Sequence, residues 1–150
     1  MVLLVPPGDL AGRLICACLR DSIAHIAVDM GDGWSVAEEG VGCWARPLEQ
    51  LGAVADLQRF PLDMLSADQE AGVRTMLRDQ VGQRYSYETI GLDAINQLMI
   101  GHPLRLADHH DRHYVCSSLP AVALAQAGWY PFGARDPLTV TPADWQRLGG

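Results

Sequence analysis

A short turn at Gly31-Asp32-Gly33 is the feature that most restricts how this chain can fold. Glycine on either side of an aspartate supplies the positive φ angles that tight β-hairpin turns need. The flanking segments Ala24–Met30 and Trp34–Glu39 alternate well enough between apolar and polar residues to be strands. Further short strands are predicted over Cys43–Leu51 and Ala53–Phe60, with no helical pattern between the segments. This order predicts an antiparallel meander.

The second half of the chain has the apolar spacing of helices. Ser66 and Gln69 have the form of a capping box, and apolar residues then recur at helical spacing as far as Gly82. Thr141-Pro142 predicts one more short turn. We therefore predict an α+β fold, a single domain over residues 1–150 with an antiparallel sheet packed against a helical half. Helices are expected over residues 10–20, 66–82, 87–100 and 117–127.

Composition excludes several classes of partner. Of 150 residues, 49% are hydrophobic, so the chain is long enough and apolar enough to bury a core. The formal net charge is −7, whereas non-specific binding to nucleic acid needs a basic surface. The apolar start of the sequence is too short for a signal peptide, and no run reaches the roughly 20 apolar residues of a membrane-spanning helix. We expect neither a nucleic-acid partner nor a membrane span, and localisation stays open, with a cytoplasmic or phage-associated protein as the default.

The sequence contains four cysteines, Cys16, Cys18, Cys43 and Cys116. Cys16 and Cys18 form a C-x-C within an apolar segment, which differs from the C-x-x-C spacing of zinc and redox sites. We expect these two thiols to be reduced and to pack in the interior.

Cys116 has a different setting, because it lies at the predicted start of a helix. Pro120 is tolerated only in the first turn of a helix, which fixes that start close to Cys116. A thiol there lies near unpaired backbone N–H groups and the positive end of the helix dipole, and both favour the thiolate. The position therefore fits a nucleophile, with a buried or capping cysteine as the alternative.

A nucleophilic cysteine needs a base, and His25 on the first hairpin strand is the candidate. Its neighbours are apolar, so the alternative is a histidine packed in the core. The returning strand carries Glu38 and Glu39, of which only one can face the imidazole, since adjacent strand side chains point to opposite faces. The spacing from Val36 favours Glu38.

Several short segments in a fixed order indicate a known family. They are Gly8-Asp9-Leu10, Ala24-His25-Ile26-Ala27-Val28, Val36-Ala37-Glu38, Gly82-Gln83-Arg84-Tyr85, Tyr114-Val115-Cys116-Ser117-Ser118-Leu119 and Thr141-Pro142-Ala143-Asp144. Together they resemble the circularly permuted NlpC-type cysteine hydrolases, in which the strand histidine precedes the helix cysteine. The segment around Cys116, followed by an alanine-rich helix, is the most specific of them. The resemblance extends from about Gly8 to Asp144.

This resemblance implies a permuted papain-like fold and a cysteine peptidase or amidase. It implies Cys116 as the nucleophile, His25 as the base and Glu38 as the residue that orients the base. The chain departs from the family pattern at Glu38-Glu39, where glutamate followed by alanine is usual. Glu39 therefore stays open as the orienting residue.

The resemblance also implies a substrate, an amide in a small peptide such as a peptidoglycan stem peptide. Tyr85, Tyr114 and Ser117 are implied to contact this substrate, and no cofactor is implied. One alternative is the same thioester chemistry on lipid acyl groups, in an acyltransferase or thioesterase. Another is a non-catalytic interaction module of a phage or secretion system.

A polar run before Cys116 contains residue types that bind zinc, namely His109, His110, Asp111 and His113. Ligands this close together across a loop and a helix start do not have a standard zinc spacing. We expect a solvated loop beside the mouth of the site, and no metal.

Overall fold

A computed structural model describes residues 1–7, 13, 23, 25–39, 42–51, 58–60, 64–83 and 114–149. Within these residues the fold is α+β, as predicted: an antiparallel sheet with helices packed on it. The strands are β1 (Val2–Val5), β2 (His25–Asp29), β3 (Trp34–Glu39), β4 (Gly42–Pro47) and β5 (Gln58–Phe60).

The strand order across the sheet is β4-β3-β2-β1-β5, so the central strand is β2 and β1 lies between β2 and β5. The sequence predictions missed β1, because its four apolar residues do not alternate. Both faces of β1 are covered, and Val2, Leu3 and Leu4 are almost fully buried. A strand buried on both faces has a continuous apolar sequence.

Two of the predicted strands are shorter than expected. The strand predicted over Cys43–Leu51 ends at Pro47, and a 3-10 helix follows over Leu48–Leu51. Proline fixes φ and has no N–H for the ladder, which explains the end of β4. Of the strand predicted over Ala53–Phe60, the last three residues form β5, and residues 52–57 lie outside the described residues.

Three helices lie within the described residues: α1 (Ala67–Gln80), α2 (Ser118–Gln126) and α3 (Pro142–Gly149). The capping box predicted for α1 is confirmed, with Gln69 N donating to Ser66 Oγ at 3.2 Å and Ser66 N donating to Gln69 Oε1 at 3.0 Å. Gly128 follows α2 with a φ of 80°, as expected of a left-handed residue that ends a helix. The helices predicted over 10–20 and 87–100 lie outside the described residues, except for Arg13, which is helical.

The C-terminal segment forms a helix longer than the short turn that the sequence predicts. Asp144, the third residue of this helix, caps its start, with Thr141 donating to Asp144 Oδ2 from its N–H at 2.8 Å and from Oγ1 at 2.7 Å. Arg135 and Arg147 pair with Asp144 Oδ1 at 2.7 and 2.9 Å. Burial alone would raise the pKa of Asp144, but the Thr141 hydrogen bonds and the Arg135 charge outweigh it, so the pKa is lowered. The T-P-x-D segment is therefore a capping motif of α3.

Side-chain alternation divides the sheet into two faces. On the helical face, strand residues pack with the helices: Val2, Leu4, Ile26, Val28, Val36 and Cys43 share one core with Val73, Leu77, Cys116, Leu119 and Leu124. On the far face a smaller cluster contains Leu3, Ala27 and Ala37, with Val5, Leu48 and Leu51 packed against it. The face on which each predicted site residue lies determines which of these residues can be in contact.

Candidate functional site

Cys116 lies in the turn that begins α2. The N–H groups of Ser118 and Leu119 both donate to the carbonyl of Val115, at 3.1 and 3.0 Å, so the hydrogen-bonded turns include Cys116. Pro120 lies in the first turn of α2, as the sequence predicts. Cys116 is 7% exposed, and its thiol is not in a disulfide. The nucleophile candidate is therefore a nearly buried cysteine at the N-terminus of a helix.

Ser117, beside Cys116, connects α2 to the C-terminal segment. Its Oγ donates to the carbonyl of Val140 at 2.6 Å, and its own carbonyl accepts from Trp145 Nε1 at 2.9 Å. The residue is 2% exposed. These contacts give Ser117 a structural role, in place of the substrate contact that the resemblance implies.

Tyr114, the second residue expected to bind substrate, is 3% exposed and lies where α1 and α2 meet. The two helices run antiparallel, because Gln69 at the start of α1 donates from Nε2 to Ala127 just after α2, at 2.9 Å. A cavity of about 400 Å³ lies between them, and its lining includes Tyr114 with Asp79 and Gln80 of α1. The beginning of α2 is thus close to the end of α1.

The chain leaving α1 joins the edge of the sheet at Cys43. Gly82 N donates to the Cys43 carbonyl at 2.8 Å, and Cys43 N donates to the Gln83 carbonyl at 2.9 Å. Cys43 lies near the start of β4, at the same end of the sheet as the start of β2 at His25. The ends of the strands and the N-terminus of α2 therefore lie at one end of the molecule.

His25 is the first residue of β2, and the register pairs it with Val5. Residues directly opposite in an antiparallel pair lie on the same face, so His25 belongs to the far face with Val5 and Ala27. Its Nε2 is buried, and no hydrogen-bond partner reaches it among the described residues. Burial, and to a smaller extent the positive charge of Arg46, lower the pKa of His25 to about 4. The imidazole is neutral at pH 7 and retains the capacity to accept a proton.

Glu38 is fully buried and lies across from Cys43 in the ladder between β3 and β4. It therefore belongs to the helical face. Neither of its carboxyl oxygens has a hydrogen-bond partner within the described part of the chain. Burial raises the pKa of Glu38 to about 8, so the side chain is mostly protonated at neutral pH.

The expected hydrogen bond between Glu38 and His25 is not formed. The β2–β3 register pairs Val28 with Val36 and Asp29 with Ser35. Because the side-chain period of a strand is two, Glu38 lies on the face of Val36 and His25 on the opposite face. Alternation along β3 puts the position of Glu39 on the face of His25, so Glu39 stays open as the orienting residue.

The structure brings Cys116, Glu38 and Cys43 to the helical face, and places His25 at the end of the neighbouring strand on the far face. Sequence reasoning gave no role to Cys43. Burial, and then the negative charge of Glu38, raise the pKa of the Cys43 thiol to about 12. No motif marks Cys43, so only the strand pairing could have found it.

Tyr85 and the histidine-rich run lie outside the described residues.

Two negative findings concern only the described residues. No group of at least three His, Cys, Asp or Glu side chains converges there to hold a metal ion. Within the same residues, every helix is too short or too polar to cross a bilayer.

Comparisons with protein-family models, curated proteins and solved structures found no match for this chain.

Proposed function

We propose that this protein is a cysteine hydrolase of the permuted NlpC type, with a papain-like arrangement of helix and sheet, that cleaves an amide bond through a thioester at Cys116. The observation that carries the proposal is a pair of buried polar groups without hydrogen-bond partners, on opposite faces of one end of the sheet. His25 Nε2 and both Glu38 oxygens are buried without partners, at the end of the sheet near which the helix of Cys116 begins. Buried polar atoms are nearly always hydrogen-bonded, and exceptions are concentrated at functional sites.

The first half of the reaction uses Cys116 and His25. The Cys116 sulfur forms a bond to the substrate carbonyl carbon while its proton passes to His25, and the carbonyl π electrons move to the oxygen. The C–N bond then breaks, and the amine leaves with the proton from His25. A thioester on Cys116 remains.

Water completes the reaction. His25 removes a proton from water as the water oxygen attacks the thioester carbon. The C–S bond breaks, the acid product leaves, and Cys116 recovers its proton. A neutral imidazole is the form needed at the start of both halves, and the lowered pKa of His25 supplies it.

This scheme requires His25 to reach the thiol around the end of β2, since the two side chains belong to different faces. His25 is the first residue of its strand, so no earlier residue of β2 stands between its ring and the end of the sheet. The thiol would then be approached from two directions, by His25 from the strand end and by Glu38 from the helical face.

The proposed substrate is a small peptide amide, with peptidoglycan stem peptides as the class that the family resemblance suggests. Tyr114 lines a cavity of about 400 Å³ together with residues of α1, but Cys116, His25 and Glu38 are not among its described lining residues, so the substrate class rests on the resemblance. Tyr114 and Tyr85 are the proposed substrate contacts.

The test is to trap the acyl intermediate. The protein is incubated separately with purified peptidoglycan stem peptides and with long-chain acyl thioesters, quenched in acid, and analysed by intact mass and peptide mapping. We expect a peptide-derived adduct on Cys116, absent from Cys116→Ser and retained by Cys43→Ser. A fatty-acyl adduct on Cys116 would assign the same chemistry to an acyltransferase or thioesterase. No adduct from either set would contradict a hydrolase.

A further inference from the structure

We propose that Glu38 is a catalytic residue that donates a hydrogen bond, as an uncharged acid, to the carbonyl oxygen that Cys116 attacks. This inference rests on the proposed function. It replaces the orienting role that the family resemblance implies for Glu38.

The first observation is that Glu38 and His25 lie on opposite faces of the sheet. Glu38 pairs with Cys43, and Cys43 shares a continuous core with Cys116 and the residues of α2. His25 pairs with Val5 on the far face. Glu38 and Cys116 therefore lie on the same side of the sheet, whereas His25 belongs to the other side.

The second observation is that the buried carboxyl group of Glu38 is unpaired. Glu38 is fully buried, and both of its oxygens lack a hydrogen-bond partner among the described residues. An unpaired buried polar group costs about 1–3 kcal/mol of folding free energy. Such a group, on the same side of the sheet as Cys116, is available to a ligand oxygen that reaches it.

The third observation concerns the ionisable groups near Glu38. Among the described residues, the titratable groups carried near this end by elements on the helical face are Cys43 on β4, Tyr114 and Cys116 before α2, and Asp79 on α1. The C-terminal segment, held to the start of α2 through Trp145 and Ser117, adds Asp144 with Arg135 and Arg147, and both arginines pair with Asp144. Burial is the cause of its raised pKa, and a protonated carboxyl group is a donor at neutral pH.

The chemical step is balanced without any further reagent. As the S–C bond forms, the carbonyl π electrons move to oxygen, and the Glu38 O–H hydrogen bond to that oxygen shortens without transferring its proton. When the C=O bond is restored, the amine leaves with the proton that His25 received. A donor aimed at a developing oxyanion contributes about 100- to 1,000-fold in rate.

Two probes of Cys116 separate this role from any effect on the thiol itself. 4-Nitrophenyl acetate acylates a thiol through a tetrahedral oxyanion, whereas iodoacetamide alkylates it by displacement without one. Rates at Cys116 are measured by peptide mapping for wild type, Glu38→Leu and Glu38→Gln. The leucine variant keeps similar volume but has no donor, and the glutamine variant keeps an N–H donor without a titratable group.

We expect Glu38→Leu to lower the acylation rate at least about 100-fold while leaving the alkylation rate near that of wild type. Glu38→Gln is expected to recover most of the lost acylation. In wild type the ratio of acylation to alkylation should fall as pH rises through about 8, the pKa of Glu38, and it should be flat in Glu38→Gln. The ratio removes the titration of the thiol, because both reactions use the same thiolate.

Two results would overturn the inference while the hydrolase stands. One is an equal loss of acylation and alkylation in Glu38→Leu, which would show that Glu38 acts through His25 or the thiol. The other is a ratio that rises with pH and is lost in Glu38→Gln, which would assign Glu38 as a base. A wild-type Cys116 that neither reagent modifies would overturn the proposed function itself, and with it this inference.

Discussion

Glu38 lies directly across from Cys43 in the β3–β4 ladder, and neither side chain has any solvent exposure. Burial raises the pKa of Glu38 to about 8, and burial together with the Glu38 charge raises the pKa of Cys43 to about 12. At neutral pH the Cys43 thiol is uncharged and Glu38 is mostly so. At neutral pH the protonated Glu38 carboxyl group is therefore a hydrogen-bond donor, and the pair carries little negative charge on the side of the sheet where Cys116 lies.

The first prediction concerns stability against pH. Folding raises the pKa of Glu38 from 4.5 to about 8, so its contribution is fully present below 4.5 and is lost as pH rises towards 8. Folding lowers the pKa of His25 from 6.5 to about 4, so its contribution is lost as pH falls through that range. Of the pKa shifts found among the described residues, that of Glu38 is the one that acts between pH 6.5 and 8, and it should lower the free energy of unfolding by up to about 1.4 kcal/mol per pH unit.

Urea unfolding of wild type and Glu38→Gln over this pH range checks the prediction. The slope above pH 6.5 should disappear in Glu38→Gln, and below pH 6.5 this variant should lose stability on acidification because of His25. Equal slopes in the two proteins above pH 6.5 would show that Glu38 is not the titrating group.

The second prediction concerns His25. His25→Ala should lower the acylation of Cys116 by about 100- to 10,000-fold, the usual contribution of a general base. If His25 were only a packed core residue, the variant would lose stability and keep its acylation rate. Acylation rates and urea unfolding, measured on the same samples, separate these two outcomes.

The third prediction concerns the residue that orients His25. Strand alternation puts the position of Glu39 on the same face as His25, so Glu39→Gln should lower acylation and alkylation of Cys116 together. Glu38→Leu, its matched neighbour, should lower acylation only. If Glu39→Gln leaves both rates unchanged, His25 has no carboxylate partner on β3.

The fourth prediction concerns Ser117. Ser117→Ala removes the donor to the buried Val140 carbonyl, which should lower the free energy of unfolding by about 1–3 kcal/mol. The acylation rate of Cys116 should be retained, because the hydroxyl holds the C-terminal segment and does not face substrate. A lower acylation rate in a variant of unchanged stability would restore the substrate-binding role.

Local signals account for what the sequence predicted correctly. Gly31 and Gly33 adopt φ angles of 76° and 86°, which favour glycine, so the two glycines are enough to predict the hairpin turn. The capping box of Ser66 and Gln69 is likewise a contact between residues three apart. Such features depend on a few neighbouring residues and need no knowledge of the tertiary structure.

Pairings between distant segments account for the rest. The spacing from Val36 favoured Glu38 as the partner of His25, but the face that each residue occupies depends on which residues pair. Once Val28 is paired with Val36, a shift of one position separates Glu38 from His25. For the same reason the sequence did not indicate Cys43, which is of interest only because it lies across from Glu38 in the β3–β4 ladder.

The relative alkylation of Cys116 and Cys43 tests the central claim, that Cys116 is the nucleophile, most directly. Folded wild-type protein is treated with limiting iodoacetamide from pH 5 to 9, and each cysteine is quantified by peptide mapping. We expect Cys116 to react with iodoacetamide at least about 100-fold faster than Cys43. Its reactivity should rise at a pH below the ordinary thiol pKa of about 8.5, because the N-terminus of the helix favours the thiolate. Equal, slow alkylation of the two cysteines at every pH would contradict a catalytic Cys116.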